Sequence, residues 1–386
     1  MATTITGTTI DVGPNKLVSD SSGNVTASGV LSDPSGNVRA GRKNLVLNGS
    51  MQVAQRNTST TQHNGYGSDR FEANAGNLDQ LAVTLTQNSV TDLPQFTKSL
   101  KFTTTTAETN LDSNEYFRIM QKIESQSCQQ LAYGTSSAKA VTLSFWIKSS
   151  VTGTYALSLF ADASAGTRII GSTYTISSAN TWEKKTLTFA GDTVRVMDNN
   201  NTEGLRLMWL IGAGSDFTSS DNTSWSAYSA SKLAYGQGTN AVLTTANATW
   251  EVTGVQFEVG SVATDFEHRS FGETLADCQR YYCSSYKVGQ YAGGNHVDTC
   301  IREVSNGYSY QNIGNFNFPV QMRTAPTVII YNPVTGTVNS FKGDGSNYST
   351  ARSHPSTNAG CNFYTQGQSL GPTVFISIHA TFNAEL

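Results

Sequence analysis

Alternation at period two is the dominant pattern along this chain. Val141, Leu143, Phe145 and Ile147 alternate with Thr142, Ser144, Trp146 and Lys148. Such spacing sends apolar side chains to one face of an extended strand and polar ones to the other. Tyr155, Leu157 and Leu159 repeat it after a Thr152-Gly153 turn, and Leu187 and Phe189 do so after Trp182. Leu205, Leu207, Trp209 and Ile211 form one face of a further strand. Trp250 and Val252 precede Val255, Phe257 and Val259, with Gly254 between them marking a bulge. Short strands joined by Gly, Asn and Ser turns predict a two-sheet sandwich over residues 43–268, of the jelly-roll kind. Residues 212–245 lack clean alternation and read as long loops on one edge.

One helix interrupts the β pattern. Ser270-Phe271-Gly272-Glu273 fits a capping box, with Ser270 as cap and Glu273 at the third position. Leu275, Cys278, Gln279 and Tyr282 follow at helical spacing, which predicts a helix over 270–282 inside a junction of residues 269–286. Residues 287–386 return to β. Val328 and Ile330 follow Pro326, and Val374, Ile376 and Ile378 alternate near the end. A smaller C-terminal β-sandwich with a buried last strand is expected there. Residues 1–42 carry the pattern Ser-Asp-x-Ser-Gly-Asn-Val-x-Ala twice, over 19–27 and 32–40. Each copy supports a tight turn and a brief strand, too small to bury a core alone. The fold class expected is all-β, with an extended β-repeat segment at the N-terminus.

Composition narrows the function. The 386 residues include only 14% charged ones, and the formal net charge is −3. That is no electrostatic footprint for nucleic acid or for anionic lipid. No run approaches the roughly 18 apolar residues of a spanning helix. Met1-Ala2-Thr3-Thr4-Ile5 lacks the basic start of a secretory signal. Cys128, Cys278, Cys283, Cys300 and Cys361 are odd in number and irregularly spaced, so reduced thiols are expected.

Catalytic and metal chemistry find little footing. His63, His268, His296, His354 and His379 fall in no metal-ligand spacing, and His268, beside the helix start, is expected to hydrogen-bond structurally. A phosphate-loop motif is absent from the sequence. Asp162, Asp216 and Asp221 lie in turn-rich segments where Asp is ordinary, so a glycan-cleaving carboxylate pair has no motif behind it. Asp198-Asn199-Asn200-Asn201-Thr202-Glu203 offers oxygens but not the EF-hand spacing, and reads equally as a turn. Neither a catalytic residue nor a metal ligand nor a cofactor is assigned.

Aromatic rings in polar loops are the remaining candidates. Trp225, Tyr228 and Tyr235 lie in the Ser/Asn/Gly-rich stretch before Trp250. The C-terminal region holds Tyr308, Tyr310, Tyr331, Tyr348, Phe363 and Tyr364, near His354 and Asn362. Rings stack on apolar sugar faces while Asn and Asp read hydroxyls. The same rings also suit subunit interfaces. Tyr348, Tyr364, Trp225, Tyr228 and Tyr235 are the candidate glycan-binding residues.

Two stretches carry a resemblance. The first is Asn44-Leu45-Val46-Leu47-Asn48-Gly49-Ser50-Met51-Gln52-Val53-Ala54-Gln55-Arg56, with Tyr66 and Ser68-Asp69-Arg70-Phe71 after it. The second runs from Val255-Gln256-Phe257-Glu258 through Phe266-Glu267-His268-Arg269-Ser270 into Cys278-Gln279-Arg280-Tyr281-Tyr282. Both resemble tail-fibre and related receptor-interacting virion proteins of bacteriophages, whose central domain is similar to a carbohydrate-binding-module jelly roll. Phe318-Pro319-Val320-Gln321-Met322-Arg323-Thr324-Ala325-Pro326 resembles the opening of their C-terminal module. Phe71 stands where Trp is expected, and Asp265 where Pro is common.

The resemblance implies a non-enzymatic virion protein, made in the host cytoplasm, that attaches the particle to a host surface glycan. The expected partners are two further copies in a homotrimer, other virion proteins through residues 1–42, and the glycan. No nucleic acid partner and no membrane insertion are expected. A head fibre, decoration or adaptor protein without a receptor role, and a glycan depolymerase, are the competing readings.

Overall fold

The structure is a computed structural model. It describes residues 42–343, 346–354, 356–367 and 370–386, and the backbone of the short strands Thr9–Asp11, Lys16–Ser19 and Val25–Ser28. Those three strands form an antiparallel meander, with Thr9 opposite Val18 and Lys16 opposite Ser28. The first N-terminal repeat therefore ends in a strand. The second, residues 32–40, lies outside the described residues.

The first sandwich follows the alternation. One sheet of six strands runs Glu183–Phe189, Val141–Ser149, Thr249–Val259, Lys98–Thr106, Ala82–Ser89, Ser59–Thr60. The facing sheet of seven runs Ser226–Ala227, Arg168–Ile176, Gly153–Ala161, Glu203–Ala213, Tyr116–Glu124, Phe71–Gly76, Gly65–Ser68. All pairings within the two sheets are antiparallel. Phe145, Leu207, Trp209 and Trp250 meet between the sheets at 0% exposure, which marks this as the main core. Phe145 stands edge-on to Trp209 at 5.8 Å. The bulge expected at Gly254 is present: pairing shifts between Ser144 and Trp146, and Gly254 takes φ +60°. A side chain there is also blocked, because a Cβ would lie 2.5 Å from the Phe96 ring.

The 212–245 stretch differs from its sequence reading. Only part of it lies at an edge, where Ser226–Ala227 pairs with Arg168–Ile176. Leu233 and Ala234 cluster with Ala156, Ile169, Met208 and Leu210, which are the outward positions of the seven-stranded sheet. Ser158 Oγ donates to the Leu233 carbonyl at 2.7 Å, and Gln237 Oε1 accepts from the Ala156 N–H at 2.6 Å. The loops thus roof part of the outer face.

The second sandwich is built around Phe375–Asn383. One half of that strand pairs with Tyr282–Ser284 and Thr327–Tyr331, the other with Ile301–Val304 and Ser340–Gly343. A three-stranded sheet of Tyr310–Asn317, Gly360–Gln366 and Ala351–Ser353 packs against it. Ile313, Phe341, Phe363, Ile376, Ile378 and Phe382 fill the space between, all at 0% exposure. The molecule is all-β, with two sandwiches, an N-terminal meander and one substantial helix.

That helix spans Phe271–Gln279, with Ser270 as N-cap and both hydrogen bonds of the capping box formed. It ends short of the predicted 282. Tyr282 pairs with Asn383 in a strand instead, because the ladder to the last strand outweighs continuation of a helical stripe. His268 is also corrected. Its ring stacks on Phe96 at 5.5 Å and meets Phe266 at 4.9 Å, so it serves as a packing ring, with no side-chain hydrogen bond among the described residues.

The two stretches that carry the resemblance meet in space. Asn44 Nδ2 donates to the Val255 carbonyl and its Oδ1 accepts from the Phe257 N–H, each at 3.0 Å. Glu267 accepts from the Lys43 and Asn44 N–H groups. Arg56 lies over the Tyr282 ring at 3.9 Å, and Arg70 over the Tyr281 ring at 3.5 Å. Arg70 pairs with Glu385, which also pairs with Arg56 at 3.0 Å. Glu124 accepts from Arg280 at 2.7 and 2.8 Å and from the Tyr281 hydroxyl at 2.5 Å. Burial opposes ionisation of Glu124, and these hydrogen bonds outweigh it, holding the carboxyl below its usual range. These two stretches thus form a buried polar latch joining the two sandwiches.

Candidate functional site

The outer face of the three-stranded sheet gathers a constellation of rings and amides. Strand alternation sends Cys361, Phe363 and Thr365 into the core and leaves Asn362 and Tyr364 outside. Asn312 stands opposite Tyr364, and Asn315 opposite Asn362. The odd spacing from 312 to 315 works because the pairing shifts at Gly314, whose φ of +129° suits glycine. This bulge turns both asparagines outward while Ile313 stays buried. Tyr310, 62% exposed, stands beside them, and the His354 ring lies 4.6 Å from that of Tyr364. Tyr310, Asn312, Asn315, His354, Asn362 and Tyr364 line an open groove of about 610 Å³. Its lining holds no carboxylate among the described residues. Such a surface offers ring faces together with amide donors and acceptors, the chemistry that suits neutral hydroxylated ligands.

The other expected residues go elsewhere. Tyr348 stacks on Phe341 at 5.1 Å in the opposite sheet, so one ring face is spent on the core. Tyr331 neighbours Tyr286, and Phe363 is fully buried. Trp225 packs against the first core, stands edge-on to Tyr133 at 5.9 Å and donates from Nε1 to the Ala190 carbonyl at 2.7 Å. Tyr228, 40% exposed, leans edge-on against Phe160 at 5.1 Å, while Tyr235 is 38% exposed. Of the five candidates only Tyr364 lies in the groove. Asn312 and Asn315 were missed; the glycine between them, in a run of exposed polar residues, was the available signal.

The turn residues spend their oxygens on the protein. Asp198 accepts from the Ser164 N–H at 2.8 Å and from its hydroxyl at 3.0 Å. Asn200 Oδ1 accepts from both Thr202 groups, and Glu203 pairs with Arg206. Asp216 accepts from the Ser113 hydroxyl, and Asp221 from the Thr223 N–H. A cluster that the sequence did not announce brings oxygens of Asp79, Glu108 and Glu115 within 4.8 Å of one another. Its two buried members staple loops: Glu108 accepts from the Gln80 and Leu81 N–H groups, Glu115 from that of Asp112. Burial, followed by the neighbouring Glu108, Asp112 and Asp79 charges, raises the Glu115 carboxyl against that backbone hydrogen bond. Four cysteines are buried, and burial pushes the Cys128 and Cys283 thiols up to about 12.

His379 is a structural hub of the second sandwich. At 0% exposure it stacks on Tyr286 at 3.9 Å. Nε2 lies 2.6 Å from the His296 carbonyl, which requires a proton on Nε2; Nδ1 then accepts from the Ser285 hydroxyl at 2.9 Å. Burial drives its pKa below the ordinary 6.5, partly opposed by the His296 carbonyl. The unfolded chain therefore takes up a proton at higher pH than the folded one. The stability this neutral ring contributes is full above 6.5 and is lost as pH falls toward the folded value. The second sandwich is expected to melt at lower temperature at about pH 5 than at pH 7. A His379→Gln variant should melt lower overall but with a flatter pH profile, and an unchanged slope would assign the dependence to other groups.

Comparison with known proteins gave structural neighbours only. No family model matches the chain, and no curated protein matches it. Among solved structures it is similar to a putative sugar binding protein from Bacteroides thetaiotaomicron, at 12% identity and a TM-score of 0.30, covering 56% of this chain and 100% of that one. A family 11 carbohydrate-binding module of a cellulosomal cellulase of Clostridium thermocellum matches at 12% identity and 0.27, covering 55% and 98%. A xylan-binding domain from Paenibacillus barcinonensis matches at 11% identity and 0.25, covering 55% and 100%. At such scores the likeness carries nothing about ligands. The all-β fold rests on the strand registers themselves.

Proposed function

We propose that this chain is a non-catalytic virion protein, a bacteriophage tail-fibre subunit that attaches the particle to a neutral glycan on the host surface. The observation that supports glycan contact most directly is the groove of Tyr310, Asn312, Asn315, His354, Asn362 and Tyr364. Its rings and amides match sugar faces and hydroxyls, and it lies on the sandwich furthest along the chain from residues 1–42. In this reading residues 1–42 dock on the particle, and a homotrimer multiplies weak single contacts. Val304 and Phe375 pair directly across strands and are both exposed, at 45% and 58%, which gives apolar surface for a neighbouring copy. The tail-fibre part of the reading leans on the sequence stretches around Asn44–Arg56 and Val255–Tyr282. Particles carrying Tyr310→Ala with Tyr364→Ala are expected to incorporate the chain normally and to adsorb to host cells more slowly. Full-length protein is expected to sediment as a trimer. Unchanged adsorption by particles that contain the variant would end the attachment reading.

A further inference from the structure

The outer face of the seven-stranded sheet holds a second constellation, on a different sheet from the groove. Adjacent strands place Arg118 opposite Leu210, Met120 opposite Met208, and Lys122 opposite Arg206; Arg206 in turn stands opposite Phe160. Met120 and Met208 form an apolar floor at 3% and 0% exposure. Arg118 lies on that floor with neutral partners only. Its Nε donates to Asn74 Oδ1 at 2.9 Å, its Nη1 lies 3.2 Å from Met208 Sδ, and the Tyr116 ring is 5.1 Å away. Arg206 sits over Phe160 at 4.9 Å and shares Glu203 at 2.8 Å, while its Nε is buried without a hydrogen-bond partner among the described residues. The remaining charges nearby, Lys122 and Glu72, neutralise each other at 3.1 Å. Burial, and after it the charge of Arg206, act against the Arg118 cation, partly opposed by Tyr116, Tyr228 and Glu72. A guanidinium drawn out of water with no carboxylate at ion-pair distance among the described residues, as Arg118 is, costs the fold stability.

We propose that Arg118 and Arg206 form a subsite for a carboxylate-bearing sugar whose ring rests against the exposed Tyr228. A carboxylate fits the guanidinium fork and supplies the ion-pair partner that Arg118 lacks among the described residues. Tyr228 leans on Phe160 at the edge of the roofing loop and offers its free surface to the sugar. This subsite goes beyond the neutral groove and stands or falls without it.

The test uses saturation-transfer NMR on the full chain with glucuronate and N-acetylneuraminate, each beside its methyl ester. At least one acid is expected to receive transfer, its ester far less, and added salt to weaken the acid's signal. Arg118→Gln and Arg206→Gln should each weaken binding of that acid at least about tenfold. Equal signals from acid and ester, no signal from either acid, or wild-type binding by Arg118→Gln would each overturn the proposal. Tyr228→Ala, at an exposed site, gives a second variant should the arginine changes impair folding, and it should lose transfer to the sugar ring protons. Arg118→Met is expected to melt at or above the wild-type temperature. A clear drop would return Arg118 to a structural role.

Discussion

Glu385→Ala is expected to lower the unfolding free energy by about 3–5 kcal/mol, the range for removing one partner of a buried ion pair. Glu385 holds Arg70 and Arg56 at the seam where the last strand meets the first sandwich. The Arg70 side chain is only 2% exposed, so it has no water to turn to once its carboxylate is gone. Its remaining hydrogen bond runs to the Lys122 carbonyl at 2.7 Å, and the Tyr281 ring covers it. Arg56 would keep Asp69 at 3.7 Å, whereas Arg70 would lose its carboxylate. Changing Arg70 to Met as well should recover part of the loss, because the stranded cation disappears. A urea titration of the single and double variants measures both. A single-variant loss under about 1 kcal/mol would mean that the latch does not hold the sandwiches as argued.

The second large effect belongs to the core tryptophans. Trp250→Ala should cost about 3–5 kcal/mol through the cavity it leaves. The Phe variants separate packing from hydrogen bonding. Trp250 Nε1 donates to the Tyr174 hydroxyl at 3.1 Å, whereas Trp209 Nε1 is buried without a partner among the described residues. Trp250→Phe leaves the buried Tyr174 hydroxyl stranded. Trp209→Phe instead removes an unsatisfied donor. Trp209→Phe should therefore be the milder change, by about 1–3 kcal/mol. Equal losses in thermal or urea unfolding would show that shape alone sets the cost at both positions.

These effects show where the chain could be read in advance. Strands such as Val141–Ser149 and Glu203–Ala213 were legible because burying one face forces period two. The helix start was legible because the capping box is local chemistry. Its end was not, since the pairing of Tyr282 with Asn383 is a contact across the length of the second sandwich. Tyr348 and Tyr364 looked alike in sequence, yet register sends one onto Phe341 and the other into the groove. The arginine pair was hidden for the same reason. Arg118 and Arg206 come together only through strand pairing, and the loops that roof their neighbours carry no periodic signal.

The central claim, that the groove on the second sandwich binds a neutral glycan, has one direct measurement. The full-length chain is titrated against an array of bacterial surface oligosaccharides, beside its Tyr364→Ala and Tyr310→Ala variants. The wild type is expected to retain neutral oligosaccharides and each variant to weaken the same set, by about 0.5–1.5 kcal/mol per lost ring by analogy with aromatic pairs. Retention of no neutral glycan, or equal retention by wild type and variants with their melting temperatures unchanged, would contradict it.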